Sequence, residues 1–384
     1  MKSFFGIYKI ILLFVLLFVY SNSKSSSHTE PYEGYKKDLT SGWQYSGSKN
    51  ISIVPKSKKP KVLSKLDNDS FSKKIDDLIK NNWSIDNKIA IISHDYKIIS
   101  ESYDTSSIDQ SSTPAGNSIS KSVISMLVGL AYCEGKFNLD DKISNHVSDL
   151  KNTSWGQSTI RQNLIMSSGA YIAPTSLSGN ASKEMVRDTF QSFMGISNLQ
   201  LADLIKKYDS KSFTPGSQFS YSNADTITLG MIIAKSTNLQ PHDYIKKMWD
   251  EIGANNDAHW KTNNQNETLS WAGFAAKPYD WVLLGHYFLD RMDQNDCFGN
   301  YLKEASKTQI DVTGFNQNSD YGYQIWTSCN FANDAFCFIG YYGQMLMLSP
   351  ASKTVLYIHS TGNNWGGPNK WSLVFHEVHK NFIK

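Results

Sequence analysis

The tetrapeptide Ser118-Ile-Ser-Lys121 spaces a hydroxyl and an amine so that a helix would set them on one face, about one turn apart. A serine hydroxyl is a poor nucleophile until a neighbouring base takes its proton. A lysine serves as that base when burial and nearby positive charge depress its pKa. Further on, Pro215-Gly-Ser-Gln-Phe-Ser-Tyr-Ser-Asn223 alternates Phe219, Tyr221 and Asn223, so an extended segment presents tyrosine and asparagine together. A phenol beside an amine can give up and return the proton that a leaving nitrogen needs. Late in the chain, Phe338-Ile-Gly-Tyr-Tyr-Gly-Gln344 carries Gly340 inside a strand pattern, which marks close approach of another backbone or a ligand. The next N–H, that of Tyr341, could pair with the N–H of Ser118 to receive a carbonyl oxygen turning negative.

Each motif also has a plain alternative: Ser118 as a helix cap with Lys121 in solvent, Tyr221 as a packed tyrosine, Gly340 in an ordinary turn. The S-x-x-K spacing recurs at Ser21/Lys24, Ser46/Lys49, Ser70/Lys73 and Ser148/Lys151. Context separates Ser118 from these. It follows Thr113-Pro-Ala-Gly-Asn117 and opens the strongly apolar run Val123–Tyr132, so a helix N-terminus would aim free N–H groups at the seryl oxygen.

The elements that must position these groups come from periodicity. Phe71, Ile75, Leu78 and Ile79 fall at helical spacing with Asp69 or Ser70 as cap, and Lys88–Ser93 with Tyr96–Ser100 reads as a hairpin. Helical segments follow from near Ser118, Thr159, Glu184, Asn198, Asp225, Gln240, Lys277 and Asn300. Strands return at Tyr321–Thr327, Phe336–Ile339, Gln344–Leu348 and Thr354–Ser360 before a closing helix, Asn369–Ile383. That order predicts an α+β fold, in which an antiparallel sheet built from both chain ends is flanked by helices and an all-helical lobe is inserted between.

Lys2 and Lys9 precede an apolar run from Ile10 to Tyr20 and then a serine-rich stretch, the pattern of a secretory signal peptide or, uncleaved, a membrane anchor over residues 1–23. Residues 24–68 read as polar linker, with one docking segment around Trp43-Gln-Tyr45, and the body of the chain is expected outside the cytoplasm, in the periplasm or cell envelope. A net charge of +3 gives no reason to expect a nucleic-acid partner. Of the four cysteines, Cys329 and Cys337 flank a hairpin tip and could bridge; all four as buried thiols is the alternative.

Taken together, the three motifs in this order resemble the serine beta-lactamase and penicillin-binding-protein superfamily. Within it the chain is most similar to the group holding class C beta-lactamases, esterases and 6-aminohexanoate-dimer hydrolase. Glu134-Gly-Lys-Phe-Asn-Leu-Asp-Asp141, Thr159-Ile-Arg-Gln-Asn-Leu-Ile-Met-Ser-Ser-Gly169 and Gly340–Gln344 carry the likeness, which runs from about residue 85 to the end. The resemblance implies a hydrolase domain over 69–384, with Ser118 as acylated nucleophile, Lys121 as its base and Tyr221 as proton relay. It puts Asn223 against lysine or substrate and makes the Ser118 and Tyr341 amides, beside Gly340, an oxyanion hole. Amide or ester hydrolysis of a small molecule or short peptide follows, with no metal or organic cofactor; the oligomeric state is left open. One departure is visible: where many relatives carry Lys-Thr-Gly or His-x-Gly, this chain has Phe338-Ile-Gly340, so the cation suited to a substrate carboxylate is missing. Tyr171, Trp271, Tyr341 and Trp365 are candidates to line the cleft. Two rival readings stand beside this one. A Ser-His-Asp esterase would draw on His359, His376 or His379, and a binding module of the same fold would recognise acylated peptides without turning them over.

Overall fold

The computed structural model describes residues 50–170, 188, 191–192, 197–312, 320–327, 329, 334–362, 364 and 366–383. The N-terminal apolar segment, Trp43–Tyr45, the helix expected near Glu184, Tyr171 and Trp365 lie outside them.

In chain order the strands are β1 (Ile51–Val54), β2 (Ser64–Lys65), β3 (Asn87–His94), β4 (Lys97–Tyr103), β5 (Ala258–Lys261), β6 (Phe274–Ala275), β7 (Asp320–Tyr321), β8 (Trp326–Thr327), β9 (Phe336–Gly340), β10 (Gln344–Ser349) and β11 (Thr354–Ser360). The helices used below are α1 (Asp69–Asn82), α2 (Ile119–Cys133), α3 (Ser154–Gln157), α4 (Ile160–Leu164), α5 (Leu201–Lys207), α6 (Asn223–Thr237), α7 (Pro241–Ile252), α8 (Pro278–Asp293), α9 (Cys297–Ala305) and α10 (Gly367–Phe382).

Eight strands form the main sheet in the order β2-β4-β3-β11-β10-β9-β8-β7. The N-terminal hairpin β3–β4 and the C-terminal strands pair directly, β11 running antiparallel to β3 with Leu356 opposite Ile92, so both chain ends complete one sheet as the sequence predicts. Among the described strands of this sheet, only the short β2 runs parallel to its neighbour. Side chains alternate across the sheet. Ile89, Ile91, Leu346, Leu348, Val355 and Tyr357 face a core shared with α2 and α8. Ala90, Ile92, Met345, Met347, Leu356 and Ile358 face the other, under α1 and α10. Burial on both faces explains why these strands read as nearly unbroken apolar runs.

Three expectations need correction. The cap of α1 is Asn68, whose side chain accepts from the N–H of Phe71, rather than Asp69 or Ser70. From residue 50 onward the expected linker is built into the fold. β1 pairs with β5, the Ser57 N–H donates to Ala254 O (2.9 Å), and the Lys61 N–H donates to Gly253 O (2.8 Å) at the end of α7. The inserted region is also not all helical, because β5 and β6 join β1 in a three-stranded sheet. The last two misreadings share a cause: strands of two to four residues carry too little period to be recognised before their partners are known.

Two disulfides join Cys133 to Cys297 and Cys329 to Cys337. The first ties the far end of α2 to the start of α9 across a sequence separation of 164. Replacing Cys133 and Cys297 by serine is expected to cost about 2–5 kcal/mol of stability. Cys329→Ser/Cys337→Ser should cost less, because that loop spans a separation of only 8. Urea unfolding of the two double variants checks this, and equal midpoints for wild type and Cys133→Ser/Cys297→Ser would disprove the cross-link's role.

Candidate active site

Ser118 stands at the N-terminus of α2, and its side chain makes no capping hydrogen bond. The residue is half-buried, so the hydroxyl is not consumed by the helix and can be approached from outside. One turn on, Lys121 is 1% exposed. Its Nζ lies 3.0 Å from Ser118 Oγ and donates to the carbonyl of Trp271 at 2.7 Å. Burial pushes the Lys121 amine well below its ordinary pKa. The solvent-facing alternative for Lys121 is thereby excluded.

Tyr221 completes the cluster. Its ring lies 5.2 Å from Lys121 Nζ, and its hydroxyl shares a hydrogen bond with Ser118. Burial pushes the phenol up to about 12, against the pull of that hydrogen bond. The ring stacks on Trp326 at 5.9 Å and meets Tyr321 edge-on at 6.4 Å.

Local structure explains how these groups arrive. Ser120 Oγ accepts from the N–H of Phe274 (3.0 Å) and the Gly116 N–H donates to Phe274 O (2.9 Å), which pins the start of α2 to β6. The segment bearing Tyr221 is laced to Met166–Gly169: the Ser220 N–H donates to Met166 O, the Gly216 N–H to Ser167 O, and Ser167 Oγ to Gln218 O, each at 2.8 Å. Gly169 is required there, since its φ is +76° and a Cβ would stand 2.5 Å from Phe213 O. Gly340 ends β9 against the serine loop, where a Cβ would fall 2.4 Å from Gly116 O. The close backbone approach expected at Gly340 is therefore real, and it is made by the loop that carries Ser118. Among the described residues neither the Ser118 nor the Tyr341 N–H has a hydrogen-bond partner.

Asn223 is the first residue of α6, half-buried and next to the cap Ser222. Lys121 bonds to Ser118 and Trp271 rather than to Asn223. Trp271, expected in the cleft wall, is 3% exposed, and its carbonyl rather than its ring meets the lysine. Tyr341 is 46% exposed. The histidines do not assemble a triad at Ser118. His379 Nδ1 lies 3.1 Å from Ser349 Oγ at the far end of β10, His376 is exposed, and His359 is buried in β11.

A mixed α+β body with a half-buried serine beside a buried lysine and a tyrosine at its hydroxyl fits a serine hydrolase of the beta-lactamase type. The chain belongs to the beta-lactamase family, whose model matches residues 76–294, more than half of the sequence. A stretch of 120 residues is 32% identical to Protein flp of Staphylococcus aureus (strain COL), covering 30% of this chain and 22% of that protein's length. Among solved structures, a candidate 6-aminohexanoate-dimer hydrolase from Bacillus anthracis superposes with a TM-score of 0.72 at 18% identity, over 93% of this chain and 97% of its own. A class C beta-lactamase superposes at 0.59 with 15% identity over 84% and 99%, and EstCE1, a hydrolase with promiscuous acyltransferase activity, at 0.62 with 13% over 81% and 98%. These likenesses share the fold, an antiparallel sheet flanked by helices, as expected from the sequence.

Sequence reasoning passed over several residues. Gln324 donates to the carbonyls of Asn163 (2.9 Å) and Leu164 (3.0 Å) in α4, accepts from Thr226 in α6 (2.8 Å), and through its own carbonyl accepts from Ser122 in α2 (2.7 Å). Nothing local in the sequence marks a glutamine as a three-helix strut. Asp225 was legible as an acid in the first turn of α6 but not as a buried one. Its Oδ1 accepts from Trp155 Nε1 and Ser168 Oγ, both at 2.8 Å, so it fastens the Met166–Gly169 segment behind Tyr221.

Burial raises the Asp225 carboxyl from 3.8 to about 7. Between those values the folded protein keeps a proton that the unfolded chain has lost, so stability falls as pH rises through that window and stays reduced above it. Asp225→Asn keeps an acceptor for Trp155 and Ser168 and is expected to flatten the slope. It should raise stability at pH 8 by up to about 4 kcal/mol. Melting curves from pH 4 to 8 check this; parallel wild-type and variant profiles would mean the carboxyl titrates in the ordinary range.

Proposed function

We propose that this protein hydrolyses an ester or amide through a Ser118 acyl-enzyme. The observation that carries the reading is the uncapped Ser118 hydroxyl, held between a buried amine 3.0 Å away and the Tyr221 phenol. Depression of Lys121 favours a neutral amine with a free lone pair, and elevation of Tyr221 keeps its proton in place at neutral pH. Base and acid are thus separated in pKa, as a stepwise proton transfer needs.

In this scheme Lys121 takes the Ser118 proton as Oγ bonds to the carbonyl carbon. The oxygen that turns negative is received by the Ser118 and Tyr341 amides. Tyr221 gives its proton to the leaving oxygen or nitrogen and recovers one from Lys121. Water then attacks the acyl-enzyme by the reverse route, and Ser118 regains its proton. Asn223 would contact the bound acyl donor. Phe338, fully buried and 5.4 Å from Phe288, fills the place that the resemblance gives to a carboxylate-binding cation. Uncharged acyl donors are therefore favoured over beta-lactams. Export is the localisation that a basic start, an apolar run and two disulfides support.

A fluorophosphonate probe should label Ser118, with the site mapped by mass spectrometry. Lys121→Ala should slow labelling and ester turnover by roughly 10²–10⁴-fold, and Tyr221→Phe should slow turnover by roughly 10²-fold or more. Folded wild-type protein that takes no label at Ser118 would sink the Ser-Lys mechanism. Label on another serine would favour the histidine alternative, and ligand binding without label would favour the non-catalytic module. The acid limb of kcat/KM should lie well below the ordinary lysine range, because only the deprotonated amine is competent.

A further inference from the structure

The two amides assigned to the oxyanion come from segments far apart in the chain, and something must fix their separation. Asn117, immediately before Ser118, is 5% exposed, and its backbone lies in the left-handed region at φ +47°. Its Nδ2 donates to the carbonyl of Tyr341 at 3.0 Å and to Gln344 Oε1 at 2.9 Å. The orientation of this chain of amides is not arbitrary. Gln344 Nε2 donates to Ser360 O at 2.7 Å, an acceptor only, so Oε1 must face Asn117, and Asn117 must answer with its NH₂. Gln344 is fully buried, so the chain is anchored in β10 and β11.

One side chain thus bonds to the residue whose N–H would form one half of the oxyanion hole, and is covalently next to the residue whose N–H would form the other. Tyr341 needs such a tether. It sits in a turn continued by Tyr342 (φ +70°) and Gly343 (φ +89°), and its exposed ring rests on Tyr342 with centroids 4.2 Å apart.

We propose that Asn117 is a positioning residue for catalysis: with Gln344 it clamps the β9–β10 turn to the nucleophile loop and sets the spacing of the Ser118 and Tyr341 amides. The inference rests on the reading of Ser118 as the acylated nucleophile. It assigns Asn117 a role apart from its backbone turn, and two substitutions separate these. Asn117→Gly retains easy access to the left-handed conformation and removes the clamp. Asn117→Asp keeps the shape but sets a carboxylate against two oxygen acceptors.

The test uses the full chain, a nitrophenyl ester as substrate and phenylboronic acid as a mimic of the tetrahedral state on Ser118. In wild type, fluorophosphonate label at Ser118 establishes the nucleophile; its absence overturns the mechanism and the clamp with it. Given that label, Asn117→Gly should lower kcat roughly 10–100-fold with little change in KM, and phenylboronic acid affinity should fall by a similar factor. Asn117→Asp should lose at least as much, and it carries the same comparison if the glycine variant does not fold. A glycine variant within about twofold of wild type in kcat and boronate affinity would show that only the turn conformation matters and would overturn the clamp. Loss confined to thermal stability or KM would overturn it equally.

Discussion

Moving a lysine amine out of water disfavours its charged form by several pKa units at the extreme, and Lys121 is in that position because most of the helix around it is buried. Twelve residues of α2 are buried, from Ile119 through Ala131. One turn from the serine, Lys121 is 1% exposed, and its amine ends between Ser118 Oγ and the Trp271 carbonyl. An apolar helix threaded between two layers is thus what depresses the amine, without a neighbouring cation. The same threading brings the helix N-terminus, whose Ser118 amide has no partner among the described residues, to the rim of the sheet.

Contacts with four separate stretches of chain hold that N-terminus, and each is polar and at least partly buried. Ser120 meets β6, Asn117 meets the β9–β10 turn, Ser122 meets Gln324, and Lys121 meets the β5–β6 connection. Apolar packing alone is nondirectional and would locate the helix without fixing its rotation. Buried hydrogen bonds fix it, since leaving any one donor unmet costs roughly 1–3 kcal/mol. The glycines act in the same sense. Gly116, where a Cβ would stand 2.6 Å from the Trp281 ring, and Gly340, 2.4 Å from Gly116 O, allow backbones to meet where side chains would hold them apart.

Much of this was legible in the sequence. The main sheet, the long helices and the spacing of Ser118, Lys121 and Tyr221 follow from periodicity and from motifs whose chemistry is local. The helix start placed near Thr159 agrees with the structure, where Thr159 caps α4 in a capping box with Gln162. What escaped were features defined by partners distant in the chain. β1 has no amphipathic signature until β5 lies beside it, and Asn117 looks like a turn residue until Tyr341 and Gln344 arrive. A polar residue next to a catalytic motif carries no mark of which carbonyl it will meet. Distinguishing a strut from a solvated side chain needs the tertiary structure.

The electrostatics of the site follow from the same burial. Lys121 is pushed toward its neutral form, Tyr221 is held protonated, and Asp225, fastened behind the tyrosine segment, is raised toward its neutral acid. Three titratable groups of different kinds are thus driven toward zero charge by one cause, desolvation. On β9, Phe338 is fully buried as well, at the position where the resemblance leads one to expect a cation. On the proposed function, neutral groups of this kind would themselves contribute little to attracting a distant anion, since steering requires net charge. In the proposed mechanism the pull on a developing oxyanion would come instead from the short-range dipoles of two fixed amides. On the proposed function, a preference for uncharged acyl donors and a dependence on accurately spaced amides would both follow from the burial of Lys121, Tyr221 and Asp225.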